Sequence, residues 1–286
     1  MNPHSLGLSQ TYSLEEAMEQ KPKDGDREFT GRGMASIFGA PISWIALFGA
    51  LMGALSIVPM IFYPFGGGFA SAGMLVFGPM AGLILGPWAG AVAGLIGGLI
   101  GMFISPGSYP LGLIDVMLSG MLLPVFWGLA KPYYRKFYIP FTLLWIVYYF
   151  LTPFYFPGQA AGFGAVRQPM YTLSFIWGPL GLLFVILMQK TLVKWMKAPG
   201  TGKRLAGYIL YMVGPCTAWL LPWIGVYFWA LKYPPQTAEL NNWVAWYFYV
   251  LPISVATGVV AMLLIRALEK SGLRRVPGSI LDTNTD

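Results

Sequence analysis

The sequence predicts an all-α polytopic membrane protein with about eight transmembrane helices. Only 10% of its 286 residues are charged and 56% are hydrophobic, whereas soluble domains carry about 25% charged residues. Asp115 is the single charged residue between Arg32 and Lys131. Glycine occupies every fourth position from Gly78 to Gly98, a spacing that lets membrane helices approach closely. We therefore expect the helices to pack through small Gly and Ala residues within a bilayer.

Eight apolar segments have about the length that crosses a bilayer, roughly 20 residues each. The run from 73 to 103 is too long for one crossing, and the Gly86-Pro87 pair in its middle is a helix-break signal, so it is divided into two. Pro215 and Pro222 predict a kink or an interruption in the seventh segment. The predicted spans are about 42–63, 70–85, 88–104, 111–130, 137–156, 169–189, 205–231 and 243–268.

The distribution of lysine and arginine supports this count. With the N-terminus inside, 16 of the 18 basic residues flank cytoplasmic span ends, and only Arg167 and Lys232 lie outside. This is the bias that membrane insertion produces. The net charge of +7 therefore indicates membrane orientation and not nucleic-acid binding. Both termini are predicted to be cytoplasmic, and the protein is expected in the cell (inner or plasma) membrane.

Polar tails flank the predicted transmembrane domain of residues 42–268. Residues 1–41 mix acidic and basic side chains without an apolar run, which predicts a mobile cytoplasmic extension. A short docking helix at about 13–20 is the alternative. Residues 269–286 form a second polar tail, also predicted to be cytoplasmic.

The sequence lacks the residues that membrane enzymes need. His4 is the only histidine and Cys216 the only cysteine, so we expect no metal, no cofactor and no intrachain disulfide. No pair of carboxylates lies within the spans to perform acid–base chemistry. The run Gly66-Gly67-Gly68 has no following lysine and is not a phosphate loop. We therefore expect that the protein is not an enzyme.

Asp115 is the one clear ionisable residue inside a predicted span, and such residues are functional candidates by default. It could contact a ligand or cation in an outward-facing cavity. It could instead cap the fourth helix, because an aspartate near a helix N-terminus satisfies free backbone amides. Both interpretations are open from the sequence.

The other candidate ligand residues lie in two predicted outer loops. Aromatic side chains there would offer stacking surface to a small organic ligand, and consecutive glycines would let a loop close over it. The predicted ligand-binding residues are Tyr63, Phe65, Gly66, Gly67, Gly68, Tyr109 and Asp115.

Residues 40–130 carry small-residue motifs in a particular order. The first span has Ala46, Ala50 and Ala54 at a spacing of four, and Tyr-Pro-Phe-Gly-Gly-Gly follows at 63–68. Next come Phe-Gly-Pro-Met-Ala-Gly at 77–82, Gly-Pro-Trp-Ala-Gly-Ala from residue 86, and Ser-Pro-Gly at 105–107. This order resembles that of S components, the substrate-binding membrane subunits of energy-coupling factor (ECF) vitamin transporters. The resemblance covers about a third of the chain.

The resemblance implies a function and partners. The small-residue face at Ala46, Ala50 and Ala54 would contact a membrane coupling subunit, and the first outer loop would help to close the ligand site. Because this chain has no nucleotide-binding motif, cytoplasmic ATPases would supply the energy. The implied function is the capture of a small organic nutrient, a vitamin or its precursor. S components usually have six spans, and residues 137–268 match none of their motifs.

A different class of protein is also compatible with these patterns. The chain would then be a non-catalytic accessory or structural subunit of a larger membrane complex, in which the glycine-rich faces serve only helix packing. Co-purifying coupling and ATPase subunits would favour transport over this alternative.

Overall fold

In a computed structural model, the described residues of the chain form eight helices. The model describes residues 35–63, 68–151, 176–230, 249–270 and 280, with backbone only at 228 and 229. The predicted N-terminal tail therefore lies outside the described residues, apart from 35–41, as do Phe65, Gly66 and Gly67. The helices are α1 Ile42–Ala54, α2 Gly73–Leu85, α3 Pro87–Ile104, α4 Leu113–Leu129, α5 Arg135–Leu151, α6 Trp177–Met196, α7 Thr201–Ala230 and α8 Leu251–Lys270.

Two short antiparallel hairpins accompany the helices. Strands β1 (Ser36–Ile37) and β2 (Ala40–Pro41) pair just before α1. Strands β3 (Pro59–Phe62) and β4 (Phe69–Ser71) pair on either side of the predicted first outer loop, with Phe62 opposite Phe69. The second predicted span therefore does not begin as a helix at residue 70, because the strand pairing extends to 71 and α2 begins at 73.

Within the described ranges, four helices are long and apolar enough to cross a membrane: α3, α6, α7 up to Tyr227, and α8. The count becomes five if α4 and the segment Pro132–Leu151, which bend by 98° at their junction, form one broken span. Helices α1 and α2 are apolar but shorter. The chain is thus an all-α membrane protein, as the composition predicted.

The glycine rows predicted from the sequence are contact surfaces between helix backbones. A Cβ atom added at Gly94 of α3 would lie 1.9 Å from the carbonyl oxygen of Gly120 in α4. One added at Gly82 of α2 would lie 2.0 Å from the carbonyl oxygen of Pro124. Gly97 of α3 packs against α1 in the same way, because a Cβ added there would lie 2.8 Å from the carbonyl oxygen of Gly49. No side chain larger than hydrogen fits between these helices as they are packed.

Gly86 separates α2 from α3, as the Gly-Pro pair predicted. Its φ is 85°, a left-handed backbone conformation that favours glycine, and Pro87 occupies the first position of α3, where a missing N–H costs nothing. A Cβ at Gly128, near the end of α4, would lie 2.5 Å from the Cα of Pro87. The α2–α3 turn therefore packs against the end of α4.

Helix α7 runs through the centre of the bundle without a break. In its most apolar stretch, 78% of the residues are buried, against 39–44% in the corresponding stretches of α3, α6 and α8. Of the kink or interruption that Pro215 and Pro222 predict, the interruption is absent, because the helix is continuous from 201 to 230; the kink stays a prediction. Packing against α4, α5, α6 and α8 can hold a proline-containing helix in a membrane protein, and it is consistent with the burial of α7.

The predicted span limits are wrong at α6. The sixth span was placed at 169–189, but α6 continues to Met196. Lys190 and Lys194 consequently lie on the helix and not in a connecting loop. Their position is physically reasonable, because lysine side chains near helix ends extend toward the aqueous interface.

Backbone carbonyls in two π-helical turns accept hydrogen bonds from side chains of other helices. Residues Gly73–Phe77 and Val116–Met121 have this wider winding, which displaces carbonyls from the regular pattern. The Thr257 hydroxyl donates to the Leu75 oxygen at 2.8 Å, and the Trp219 indole N–H donates to the Leu118 oxygen at 2.8 Å. Helices α8 and α7 are thereby hydrogen-bonded to α2 and α4, respectively.

All lysines and arginines of the described ranges lie at one end of the bundle, here called the basic end. Contacts between segments place them together: the Gln189 side chain donates to the Ala130 oxygen at 2.7 Å, and Arg204 pairs with Glu269 at 2.5 Å. The β3–β4 hairpin and residues 105–115 occupy the opposite, hairpin end. The basic residues are Lys131, Arg135, Lys136, Lys190, Lys194, Lys197, Lys203, Arg204, Arg266 and Lys270.

Gly94→Ala should destabilise the fold, because its methyl group forces α3 away from the Gly120 carbonyl. Overpacking of this kind costs roughly 1–3 kcal/mol, which thermal unfolding in detergent would detect. Gly202→Ala is the matched control, since a Cβ there meets nothing within 4 Å. Equal stability of the two variants would contradict the packing described.

Candidate functional site

Asp115 is a buried carboxylate at the hairpin end. It lies in the first turn of α4 and is 0% exposed. The Leu111 backbone N–H donates to its Oδ2 atom at 2.6 Å, and the Tyr227 hydroxyl donates to its Oδ1 atom. Leu111 precedes the helix, whose N-cap residue Gly112 has no side-chain cap hydrogen bond, so the first bond is not the capping of free helix amides considered from the sequence. The second joins α4 to α7 across 112 residues of chain and was not predicted.

The tyrosine that bonds to this carboxylate belongs to a row of aromatic side chains on α7. Trp223 and Tyr227 stack with ring centroids 4.3 Å apart, and Trp219 lies 5.8 Å from Trp223. The three residues follow one another at a spacing of four, so they form a row along one face of the helix. Sequence reasoning missed them, although this spacing could have revealed the row.

Tyr63, a predicted ligand residue, meets the same cluster from the end of strand β3. Its ring centroid lies 5.4 Å from that of Trp223 and 5.9 Å from that of Tyr227. The ring is partly exposed, but the hydroxyl is buried and forms no hydrogen bond of acceptable geometry. The hairpin therefore covers the aromatic row.

Tyr109, also predicted, enters from the segment between α3 and α4. It is 2% exposed and packs against Gly101, where an added Cβ would lie 2.6 Å from the tyrosine ring. Its hydroxyl is buried without a hydrogen-bond partner, and so is the indole N–H of Trp223. The Tyr109 hydroxyl and the Trp223 indole N–H thus lack acceptors, although buried polar groups are usually satisfied.

Gly68 belongs to the cover of the site. A Cβ at this position would lie 2.8 Å from the Gly107 oxygen and 3.0 Å from the ring of Tyr63. The hairpin can therefore approach the 105–108 turn only with glycine here. That turn is itself anchored, because the Ser108 hydroxyl donates to the Ser56 oxygen at 2.7 Å.

The structure thus brings together four of the seven predicted ligand residues: Tyr63, Gly68, Tyr109 and Asp115. The other three lie outside the described residues. Within the described ranges no three His, Cys, Asp or Glu side chains are close enough to hold a metal. The cluster can accept hydrogen bonds at one carboxylate, donate them from hydroxyl and indole groups, and stack against a flat ring.

Comparisons with known proteins do not identify the chain. No family model matches it, and no curated protein and no solved structure shows significant similarity. The candidate site must therefore be interpreted from its own chemistry.

Tyr227→Phe should destabilise the protein by about 1.5–3 kcal/mol, the usual contribution of a hydrogen bond to a charged group. Asp115→Asn should be destabilising as well, and the double variant should lose less than the sum because both changes remove one interaction. Thermal unfolding of the four proteins in detergent gives this comparison. Tyr133→Phe, at an exposed position, is the control. Strictly additive losses would mean that the two groups do not interact.

Proposed function

We propose that this protein is a membrane substrate-binding subunit that captures a small organic nutrient, a vitamin or its precursor, for uptake driven by separate coupling and ATPase subunits. The observation that carries the proposal is the set of buried donors without acceptors around Asp115. Unsatisfied buried polar groups are costly, about 1–3 kcal/mol each. A ligand that accepted their hydrogen bonds would recover that free energy on binding.

The chemistry of the cluster favours a particular kind of ligand. Asp115 already accepts one hydrogen bond at each oxygen, and a carboxylate can accept about four, so it can take more from a ligand. A cationic or N–H-rich ring would bond to this acceptor and stack against Trp223. The hydroxyl of Tyr109 and the indole N–H of Trp223 would donate to acceptor atoms on the same ring.

The β3–β4 hairpin is the proposed lid. It covers the cluster through Tyr63, and its connecting segment contains the run Gly66, Gly67 and Gly68, which has unusual backbone freedom. Opening the hairpin would expose the carboxylate and the aromatic row together. This arrangement agrees with the role that the S-component resemblance gives to the first outer loop.

For the topology, we propose eight spans with both termini in the cytoplasm of the cell that carries the protein in its inner or plasma membrane. The concentration of lysine and arginine at the basic end supports a cytoplasmic location for that end. The C-terminal region supports it too, because the Ile280 N–H donates to the Leu83 oxygen at 2.9 Å, next to the α2–α3 turn. The candidate site would then face outward.

Single cysteines introduced at exposed positions test this orientation in a Cys216→Ala background. Tyr133→Cys and Pro199→Cys lie at the basic end and should resist a membrane-impermeant maleimide in intact cells. Phe62→Cys, in the hairpin and 69% exposed, should react. External labelling at 133 or 199 would overturn the orientation.

The face proposed for the coupling subunit is Ala46, Ala50 and Ala54 on α1. All three are exposed, whereas Gly49 and Gly53, on a neighbouring face of the helix, contact α3. A smooth, small-residue surface on a membrane helix allows another helix to approach closely. This surface is not used for packing within the described part of the chain.

Two variants separate partner binding from ligand binding. Ala50→Trp should abolish co-purification of coupling and ATPase subunits while native mass spectrometry still detects the small molecule retained by the protein. Tyr109→Phe should lose the retained molecule but keep the partners and the thermal stability, because the hydroxyl has no partner to lose.

The opposite results would contradict the proposed interface or favour the accessory-subunit function. Partners retained by Ala50→Trp would contradict the proposed interface. A protein that never retains a small molecule, and whose partners include no ATPase, would instead be the accessory subunit.

A further inference from the structure

The β1–β2 hairpin ends in a turn whose backbone is unusual for its sequence. Ile37 pairs with Ala40, so only Phe38 and Gly39 connect the two strands. Both have positive φ angles, 52° and 81°, as in the type I′ turn that suits the twist of a tight hairpin. Asparagine, aspartate or glycine usually takes the first position, because other side chains are strained there. Phe38 is the one non-glycine residue with positive φ in the described part of the chain.

The Phe38 side chain lies mostly outside the protein core. It is 63% exposed, and its apolar neighbours Ile37 and Ile42 are 37% and 43% exposed. Packing inside the protein therefore does not explain why a phenylalanine occupies this turn. Ala40, in contrast, is fully buried and belongs to the core, so the hairpin lies against the bundle. An apolar patch held in this way is typical of a contact with a protein or a membrane.

The β1–β2 hairpin lies at the basic end of the bundle, because α1 and α3 run side by side in the same direction. A Cβ added at Gly49 would lie 3.1 Å from the oxygen of Ala93, and one at Gly53 would lie 3.4 Å from the oxygen of Gly97. Both helices thus begin at the same end. Helix α3 begins at the basic end, where the α2–α3 turn packs against the end of α4.

Two tryptophans mark the level of the membrane surface at this end. Helix α3 is long and apolar enough to cross a membrane, and Trp88, its second residue, is 48% exposed. Tryptophan is enriched at membrane–water interfaces. Continuing the pairing of α1 with α3 toward the helix starts places Trp44 of α1 at about the same level. The hairpin immediately precedes α1, so it lies close to the boundary between acyl chains and headgroups.

Helix α1 is too short to match a bilayer alone. The apolar helical segment Ile42–Ile57 consists of 13 α-helical residues and a 3-10 turn of 3 residues. Its length is about 25 Å at 1.5 and 2.0 Å per residue, whereas the hydrocarbon core is about 30 Å thick. Residues that flank such a short helix are drawn toward the interface. The exposed apolar residues before α1 are therefore placed where lipid is available.

We propose that the β1–β2 hairpin lies in the bilayer interface at the basic end, with Phe38 and Ile37 inserted among the lipid chains, and that it fixes the depth of α1. Removal of the exposed ring from water would offset the strain of the turn. The lysines and arginines of the same end would attract anionic headgroups around the hairpin. A soluble protein is a less suitable occupant, because the patch adjoins a membrane helix at the level of Trp88.

Spin labelling tests the position of the turn in lipid nanodiscs that each hold one copy of the full-length protein. Phe38→Cys in a Cys216→Ala background carries a nitroxide, and its accessibility to oxygen, which concentrates in hydrocarbon, is compared with that to a water-soluble nickel chelate. The ratio of oxygen to nickel accessibility at 38 should exceed that of Pro199→Cys, an exposed site of the basic end. It should approach that of Leu187→Cys, 67% exposed on α6.

A stability comparison uses the opposite preferences of the turn and of lipid. Phe38→Asp suits the backbone of the turn better than Phe38→Leu does, but it places a charge in the interface. In nanodiscs the aspartate variant should melt about 2–4 °C below the leucine variant. If the turn lies in water, the order should be reversed or the two should be equal.

Three results would overturn the proposal. Nickel accessibility at 38 as high as that at 199 would place the turn in water. Shielding from both reagents would mean that protein, and not lipid, covers the patch. A melting temperature of Phe38→Asp equal to or above that of Phe38→Leu would mean that lipid does not hold the hairpin. Ile37→Cys repeats the accessibility measurement beside the strained position, and melting temperatures show that each labelled variant folds.

Discussion

The close approach of helix backbones at glycine is the constraint on which the rest of this structure depends. At Gly94 and Gly82 even one methyl group would overlap a carbonyl oxygen of α4. The hydrophobic effect does not drive helices together in lipid, because lipid tails are as apolar as the side chains. Close packing at glycine instead stabilises the association through van der Waals contact. The same packing of α3 against α4 positions Asp115, at the start of α4, where Tyr227 of α7 bonds to it.

Polar side chains of α7 and α8 donate hydrogen bonds to α2 and α4. Trp219 and Thr257 donate to carbonyls within the two π-helical turns, and Tyr227 donates to Asp115. In hydrocarbon an exposed carbonyl is expensive, so these bonds hold α7 and α8 in one register against α2 and α4. The candidate site is a consequence of that register, because it places the row of Trp223 and Tyr227 directly beside the carboxylate.

The two ends of the bundle have opposite chemistry. The hairpin end has a single carboxylate, aromatic rings and donors without acceptors, and the described lysines and arginines lie at the other end. Such an uneven distribution of lysine and arginine is the kind that orients a protein in a membrane.

The sequence by itself determined that the chain belongs in a membrane and which helix surfaces pack together. Low charge and four-residue glycine spacing are local properties of the chain, so the membrane class, the break at Gly86 and the contact role of Gly94 could be predicted. The sequence also singled out Asp115, Tyr63 and Tyr109, because isolated polar or aromatic residues beside apolar runs are conspicuous. Only the tertiary structure decided that Tyr227 bonds to Asp115 across 112 residues and that α7 stays continuous through two prolines. Both depend on which helices become neighbours, and the apolar periodicity of a membrane helix does not specify its neighbours, since lipid and protein are equally apolar.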